Sequence, residues 1–286
     1  MAIFYIEGKI VSKDYDKAIR YFTLAANQDH AHSQFILGIL YLNGLVLKQN
    51  IKKGIYLINL SLYNGNYEAN FAIGFFHHQG KYFDKNITKA IHYYKEASSF
   101  NDQYSKNNLG IIYKNKYYNE VTPNIGLSEE YFTEAIQQKN DKLSMYNLSH
   151  IYIYEYQTKE KMNEAIELLI KSFTNGFEPA ILLLSIALIK KYGTNMQNLN
   201  LKMKEIIDPA SRFHLLIFQL IQKQKLDNIS IFKEKYNHLS KIDYLYDFNS
   251  KPIISKELLK NQVFRSKSSY IKNISFEFYE GFGFDI

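Results

Sequence analysis

Apolar positions along the chain follow two helical patterns that alternate and recur about every 36 residues. In the first pattern a branched apolar residue precedes a glycine or serine, and a further large residue follows three positions after the small one. Residues at these offsets share one face of an α-helix, and the small residue lets a neighbouring helix approach closely. We therefore predict a helix, called helix A, around each of five small residues: Gly38, Gly74, Gly110, Ser149 and Ser185.

A second helix, called helix B, is predicted ahead of each of the five A helices. Its residues keep aliphatic and aromatic side chains at helical spacing, as in 17–26, 53–62, 89–98, 127–136 and 164–173. After each B helix comes a residue type that tolerates a left-handed backbone: Asp29, Gly65, Asn101, Asn140 and Gly176. The chain is expected to reverse at these positions, which gives about ten antiparallel helices over residues 4–190.

These segments resemble the Sel1-like repeat, a relative of the tetratricopeptide repeat. The resemblance lies in Leu-Gly-x-x-Tyr-x-x-Gly of helix A and Lys-Ala-x-x-aromatic-aromatic-x-x-Ala of helix B, over roughly residues 4–190. It implies an all-α fold, a right-handed solenoid of antiparallel helix pairs, that acts as a protein–protein adaptor. The chain departs from the family pattern at His77, which replaces a tyrosine, and at Ser149 and Ser185, which replace glycines.

Three regions are expected along the chain. The repeat solenoid covers residues 1–190, a degenerate helical C-terminal cap covers 191–247, and an aromatic-rich extended tail covers 248–286. Residues 274–279 alternate apolar and polar side chains as strands do. So much aromatic surface is costly to leave in water, so the tail is expected to dock on the protein's own helices or on a partner.

The first repeat is predicted to lack most of its helix A, because Phe4–Gly8 fits only the last turn of that helix. Phe4, Ile19 and Phe22 would then face a missing neighbour. Solenoids usually need a polar terminal cap, and self-association through this end is one expectation that follows.

Composition and charge favour a soluble interaction protein. The sequence has no cysteine, no segment typical of a secretory signal peptide and no apolar run long enough to span a bilayer, so a cytoplasmic location is expected. The net charge of +7 comes with lysines that gather where helix A turns into helix B. They predict either an edge that attracts an acidic partner or a solvated rim: Lys9, Lys13, Lys17, Lys48, Lys52, Lys53, Lys81, Lys85 and Lys89.

No pattern typical of a catalytic, metal or cofactor site is present, so we expect a protein that is not an enzyme and needs no cofactor or metal. His77 and His78 are adjacent on a helix and point about 100° apart, which is poor geometry for one metal ion. His77 is interpreted as a packing residue. Glu129 and Glu130, on a B helix, are expected to form a solvated face.

The resemblance to tetratricopeptide repeats places the partner-binding residues on the inner, concave face of the A helices. Many of these residues are apolar, which indicates an occupant; the alternative is that tight curvature buries them between neighbouring helices. The candidate contact residues are Phe35, Ile39, Leu42, Asn43, Phe71, Phe75, His78, Gln79, Asn107, Ile111, Lys114, Tyr146, His150 and Tyr154.

Three functions are compatible with these observations. The leading hypothesis is a bacterial protein–protein adaptor that binds a protein or peptide. An immunity-type protein that occludes a toxin is a specific version, by family analogy alone. Single-stranded RNA binding belongs to another class; against it, the predicted inner face lacks a recurring stripe of basic residues, so nucleic acid is not the expected partner.

Overall fold

The computed structural model describes residues 1–202 except 8–10, 13, 45, 117, 178, 194–196 and 198–200. Within these residues the secondary structure is helical and contains no strand. The helices are α1 (Ala2–Glu7), α2 (Tyr15–Ala26), α3 (Ala31–Asn43), α4 (Ile51–Tyr63), α5 (Glu68–Gln79), α6 (Ile87–Ser99), α7 (Gln103–Lys114), α8 (Ile125–Lys139), α9 (Lys142–Ile151), a π-helix (Tyr152–Tyr156), α10 (Lys159–Thr174) and α11 (Ala180–Tyr192).

Odd-numbered helices are the predicted A helices and even-numbered helices are the B helices, so the predicted helix pairs are confirmed. The A helix around Ser149, which is α9, differs from the expectation in one detail. It is α-helical to Ile151 and then continues as the π-helix, which ends at the left-handed residue Gln157 with φ 55°. This unit is the one with the 39-residue spacing to its predecessor, where the repeat register is interrupted.

The predicted reversals after the B helices are confirmed at all five positions. Asp29, Gly65, Asn101, Asn140 and Gly176 have φ between 49° and 87°. A left-handed residue lets the chain leave the helix while the last carbonyl groups still accept hydrogen bonds. These five turns, from a B helix to the next A helix, are called the B→A turns.

A side-chain cap starts each B helix, a feature that the sequence analysis did not single out. The Asp14, Asn50, Asn86 and Asn124 side chains accept from the backbone N–H three residues later at 2.8–3.0 Å. Thr158 does the same at 3.2 Å. Such caps satisfy a donor that the first helical turn leaves unpaired.

The small residue of each A helix allows close contact with its own B helix, as predicted. A Cβ atom added at Gly38 would lie 2.7 Å from Ile58 Cγ1 and 3.0 Å from the Gly54 carbonyl oxygen. At Gly110 it would lie 2.6 Å from the Phe132 ring. In the repeat at 142–177 the Ser149 hydroxyl donates to the Met145 carbonyl of its own helix at 2.7 Å and lies 3.3 Å from the Ala165 carbonyl of helix B, so a serine is accommodated at this position.

The described residues form two compact units. One contains residues 1–109 and 118–121, and its fully buried side chains include Phe35, Phe71 and Tyr94. The other contains the described residues of 110–116 and 122–202, with Phe132 and Met145 fully buried.

The structure differs from the expectation that Phe22 faces a missing neighbour. Phe22 is only 4% exposed and packs close to Ile36 and Leu40 of the following A helix, with which it lines a small cavity. Ile19 lines the same cavity, whereas Phe4 is 39% exposed. The predicted tail over 248–286, and the predicted cap beyond residue 202, lie outside the described residues.

Candidate interaction surface

Most residues predicted to contact a partner on the A helices are already buried in this structure. The three that keep substantial exposure, Asn43, Gln79 and Tyr154, lie at the C-terminal ends of α3 and α5 and in the π-helix. The other eleven are at most 9% exposed: Phe35, Ile39, Leu42, Phe71, Phe75, His78, Asn107, Ile111, Lys114, Tyr146 and His150. Partner binding on this face stays a prediction, and the candidate residues open to solvent here lie where α3 and α5 end and in the π-helix.

A buried polar network stands at the end of α5, within the first unit. His78 Nε2 lies 2.7 Å from the Tyr118 hydroxyl, and His78 Nδ1 lies 3.3 Å from the Tyr94 hydroxyl. Asn108 also donates to the Tyr94 oxygen at 3.2 Å. Burial, reinforced by the positive charge of Lys85, lowers the pKa of His78 to about 4, so the imidazole is neutral at pH 7.

This network has a structural role. It holds Tyr118, in the segment after α7, against α5, and nothing in the spacing of the sequence predicted that contact. His77 is also a packing residue, as interpreted: it is 9% exposed and stacks on the Phe83 ring with centroids 4.8 Å apart. No group of three or more His, Cys, Asp or Glu residues could hold a metal ion in the part of the chain that the structure describes.

Four of the five described turns from helix A to helix B, called the A→B turns, share one backbone contact. The N–H of the residue that caps helix B donates to the carbonyl of the residue at the repeat's tyrosine position. The distances are 3.1 Å for Asp14 to Tyr5, 2.9 Å for Asn50 to Tyr41, 2.9 Å for Asn86 to His77 and 2.7 Å for Asn124 to Tyr113. Each of these four turns is thus closed at its base.

Lysines at these turns lie against the same tyrosines. Lys53 Nζ is 2.8 Å from the Tyr41 hydroxyl and 4.4 Å from the centre of its ring. In the second unit Lys161 Nζ lies 4.1 Å from the centre of the Tyr152 ring. A cation over an aromatic face is attracted by the ring's quadrupole, by about 0.5–1 kcal/mol at exposed sites. The lysine ammonium groups are therefore held at preferred positions.

Consecutive A→B turns in the first unit touch each other. The Tyr82 hydroxyl, in the turn after α5, donates to the Leu42 carbonyl at the end of α3, 3.4 Å away. Tyr82 has φ 69°, an unusual backbone for a bulky residue, and its ring packs edge-on against Phe76 at 5.0 Å. The contact joins the two turns at which these lysines gather along the chain.

We call the six exposed lysines at these two joined turns the basic edge. Within the described residues none of them forms an ion pair, and Asp84 is the one acidic residue in segments 48–53 and 81–89. Lys9 and Lys13, predicted to belong to the same edge, lie outside the described residues, and Lys17 is paired with Asp14 at 3.2 Å. The basic edge consists of Lys48, Lys52, Lys53, Lys81, Lys85 and Lys89.

The expectation that Glu129 belongs to a solvated face is wrong. The Glu129 carboxylate accepts from the hydroxyls of Tyr152 at 2.8 Å and Tyr156 at 2.6 Å, and from Lys161 Nζ at 3.2 Å. Burial alone would raise the pKa of Glu129, but these donors outweigh it and lower the pKa. The partners come from α10 and the π-helix, and no periodicity in the sequence relates them to Glu129.

Comparisons with known proteins agree with this architecture. The Sel1 repeat family matches residues 1–30, 31–66, 68–99, 104–140 and 142–177. Within the described residues no helix is both long and apolar enough to cross a membrane. A search of curated proteins returned no match.

Two solved structures share the fold. The crystal structure of a Sel1 repeat protein from Oxalobacter formigenes is similar with a TM-score of 0.63 and 20% identity, over 78% of this chain and 84% of that one. The crystal structure of c5321, a protective antigen present in uropathogenic Escherichia coli strains that displays an SLR fold, gives a TM-score of 0.63 and 18% identity. That comparison covers 98% of this chain, which spans 60% of the antigen's length.

The five matched repeats, the helix pairs and the shared fold lead to one conclusion. The chain belongs to the Sel1 repeat family and has an all-α solenoid fold of antiparallel helix pairs.

Proposed function

We propose that the protein is a non-enzymatic adaptor that binds an acidic segment of a partner protein. Sel1 repeat proteins are generally protein–protein interaction modules. The proposal adds which surface of this protein binds and that the bound segment of the partner is acidic. The segment lies along the basic edge and against the exposed ends of α3 and α5, where Asn43 and Gln79 are accessible. The protein acts in the cytoplasm of a bacterium, as the bacterial relatives and the cysteine-free sequence support.

The observation that carries this proposal is the absence of ion pairs along the basic edge. Six lysines on two touching turns, with one acid among them, create a positive potential that the described part of the chain does not neutralise. Such a potential attracts an acidic partner and speeds its association. The side chains at the helix ends add hydrogen-bonding groups that can fix the register of a bound peptide.

The same edge is less suited to nucleic acid. Binding of single strands relies on aromatic rings free to stack on bases, together with arginine. Here Lys53 lies over Tyr41 and Lys81 lies 5.1 Å from the centre of the Tyr82 ring, so these tyrosines already have cationic partners. The whole sequence has three arginines, and Arg20 is the one within the described residues. An immunity-type protein that occludes a toxin would be one form of the proposed function.

A comparative affinity capture tests the proposal. The full chain, a variant with Lys53→Glu, Lys85→Glu and Lys89→Glu, and a control variant are used as baits for lysate of the source cells treated with nuclease. The control carries Lys95→Glu, Lys139→Glu and Lys171→Glu, which change the same charge at exposed lysines outside the basic edge. Captured proteins are identified by mass spectrometry.

We expect at least one protein with an acidic segment to be captured by the wild type and the control but not by the basic-edge variant. Its capture should weaken as salt rises, because exposed charges are screened. Equal capture by all three baits would contradict the basic edge as the site. A capture that occurs only from a parallel lysate left without nuclease would indicate a nucleic-acid partner instead of a protein.

A further inference from the structure

We infer that the B→A turns of the first unit bind an arginine-bearing segment of a partner protein through two stacked aromatic rings. The rings belong to Tyr67, directly before α5, and Phe100, directly after α6. Together with Glu68, the residue after Tyr67, they are called the aromatic–acidic patch. This surface is different from the basic edge, and the inference does not depend on the acidic partner proposed above.

The two rings of the patch are exposed and already held in place. Tyr67 is 40% exposed and Phe100 is 59% exposed. Their ring centroids lie 5.3 Å apart, and the ring planes are 16° from parallel. The stack fixes the two side chains before a ligand arrives, so less conformational entropy is lost on binding.

The repeat does not require aromatic residues at these two positions. One period of 36 residues earlier, the corresponding residues are Ala31, at the start of α3, and Asn64, directly after α4. The two helices still meet closely there, since Ser61 of α4 donates to the Ala31 carbonyl at 2.7 Å. The rings are therefore not needed to join a helix A to its helix B. Exposed aromatic clusters that packing does not require are typical of interaction surfaces.

The B→A turns of the first unit are acidic, in contrast to the basic edge. At each turn, the eight residues from four before the left-handed residue to three after it contain one carboxylate and no lysine or arginine; the three acidic residues are Asp29, Glu68 and Asp102. Because the whole chain has a net charge of +7, these turns form a local region of negative charge. Such a region attracts a cationic segment that the rest of the chain repels.

Contacts between side chains join the three turns. Asn64 Nδ2 donates to Gln34 Oε1 at 2.9 Å, and Gln34 Nε2 donates to Asp29 Oδ1 at 3.4 Å, which links the first turn to the second. The stack of Tyr67 on Phe100 links the second turn to the third. The rings and the acidic residues therefore belong to one continuous edge of the unit.

Arginine is the side chain that fits both features of the patch. Its planar guanidinium stacks on aromatic faces and donates in a fork to carboxylates, whereas the lysine ammonium is a compact, strongly hydrated charge. Tyr67 and Phe100 supply the aromatic surface, and Glu68 supplies a carboxylate. Glu68 Oε2 lies 3.2 Å from His32 Nδ1, and the Glu68 side chain is 20% exposed. The occupant is therefore a basic segment that contains arginine.

Isothermal titration calorimetry of the full chain with defined peptides at low salt tests the inference. The probe is an acetylated and amidated peptide in which arginines alternate with glycines, and two matched peptides carry lysine or citrulline in place of arginine. We expect the arginine peptide to bind and the lysine peptide to bind about fivefold more weakly. The citrulline peptide keeps the shape of the side chain without its charge and should not bind.

Variants assign the binding to the patch. Phe100→Ala should raise the dissociation constant of the arginine peptide about tenfold, and Phe100→Tyr, which keeps an aromatic ring, should retain the affinity. Tyr56→Ala is the matched control, since Tyr56 is 63% exposed on α4 and lies outside the patch. It should leave the affinity unchanged. Circular dichroism checks that all variants keep their helicity.

The inference would be overturned if the arginine peptide did not bind the wild-type protein. Equal affinity for the arginine and lysine peptides would also overturn it, because attraction between charges alone would then explain the binding. So would an affinity for the arginine peptide that Phe100→Ala leaves unchanged, or that Phe100→Ala and Tyr56→Ala weaken equally.

Discussion

The two kinds of turn in this repeat solve different physical problems. Every B→A turn has a left-handed residue, and backbone geometry fixes it: Asp29, Gly65, Asn101, Asn140 and Gly176. Four of the five described A→B turns share a closed base but differ in length and in side chains, and the fifth is formed by the π-helix.

Side-chain hydrogen bonds link helix A to its own helix B at the end of the pair where the B→A turns lie. Ser61 of α4 donates to the Ala31 carbonyl at the start of α3 at 2.7 Å, and Ser172 of α10 donates to the Lys142 carbonyl at the start of α9 at 2.6 Å. At the A→B turns the side chains instead present charge to solvent, as Lys53 and Lys85 do. The comparison indicates that the B→A turns maintain the repeat, whereas the A→B turns differ from one repeat to the next.

The largest expected effect is on the stability that comes from the close contact between α3 and α4 at Gly38. Gly38→Val should destabilise the protein by about 3 kcal/mol, because its Cβ would overlap Ile58 and approach the Gly54 backbone. Gly126→Val is the control: the nearest atom to an added Cβ there is Asn124 Oδ1 at 3.6 Å, so a change of about 0.5 kcal/mol or less is expected. Urea unfolding measures both. Equal stability of the two variants would show that the close contact at Gly38 is not required.

A second effect should appear on acidification, at the buried network that secures the segment after α7. The pKa of His78 is lowered from 6.5 to about 4, so the unfolded state binds more protons between these values. Stability is therefore lost as pH falls through this window. From pH 7 to pH 5 the expected contribution is a loss of about 2 kcal/mol.

His78→Gln is the control for this effect, because glutamine does not titrate. Urea unfolding at pH 7 and at pH 5 should show a smaller pH dependence in the variant than in the wild type. The comparison uses the difference between the two pH values, so a uniform loss of stability in the variant does not affect it. An identical pH dependence in both proteins would exclude His78 as the titrating group.

A smaller effect is expected at the B→A turns. Gly65→Ala and Gly176→Ala should each destabilise by about 1 kcal/mol, since alanine is strained at φ 87° and 82°. At Gly65 no atom lies within 4 Å of an added Cβ, so a loss of stability there comes from the strained backbone conformation and not from a steric clash. Asn140→Gly, at a turn with the same geometry, should not destabilise. Thermal or urea unfolding would contradict this account if either alanine variant were neutral.

The sequence predicted the features that arise from local backbone geometry and periodicity. The glycine and asparagine positions identified the B→A turns, and the 36-residue register identified the close contacts at Gly38 and Gly110. The contact between His78 and Tyr118 could not be predicted, because Tyr118 lies 40 residues away in a segment outside the register.

The candidate site was harder to predict than the fold. The A-helix residues were selected by analogy, and exposure depends on how side chains pack in three dimensions, which the register alone does not determine. Eleven of the fourteen are buried, and Asn43, Gln79 and Tyr154 remain accessible. The lysine clusters were visible in the sequence, but their positions against Tyr41 and Tyr82 required the structure.

Hydrogen–deuterium exchange with and without the partner that affinity capture identifies tests the central claim most directly. Binding at the basic edge should slow amide exchange in the A→B turns at residues 46–50 and 80–86, by burying them. The B→A turns at 27–30, 64–67 and 99–102 should exchange at unchanged rates. Slower exchange in the B→A turns, with the A→B turns unaffected, would contradict the account.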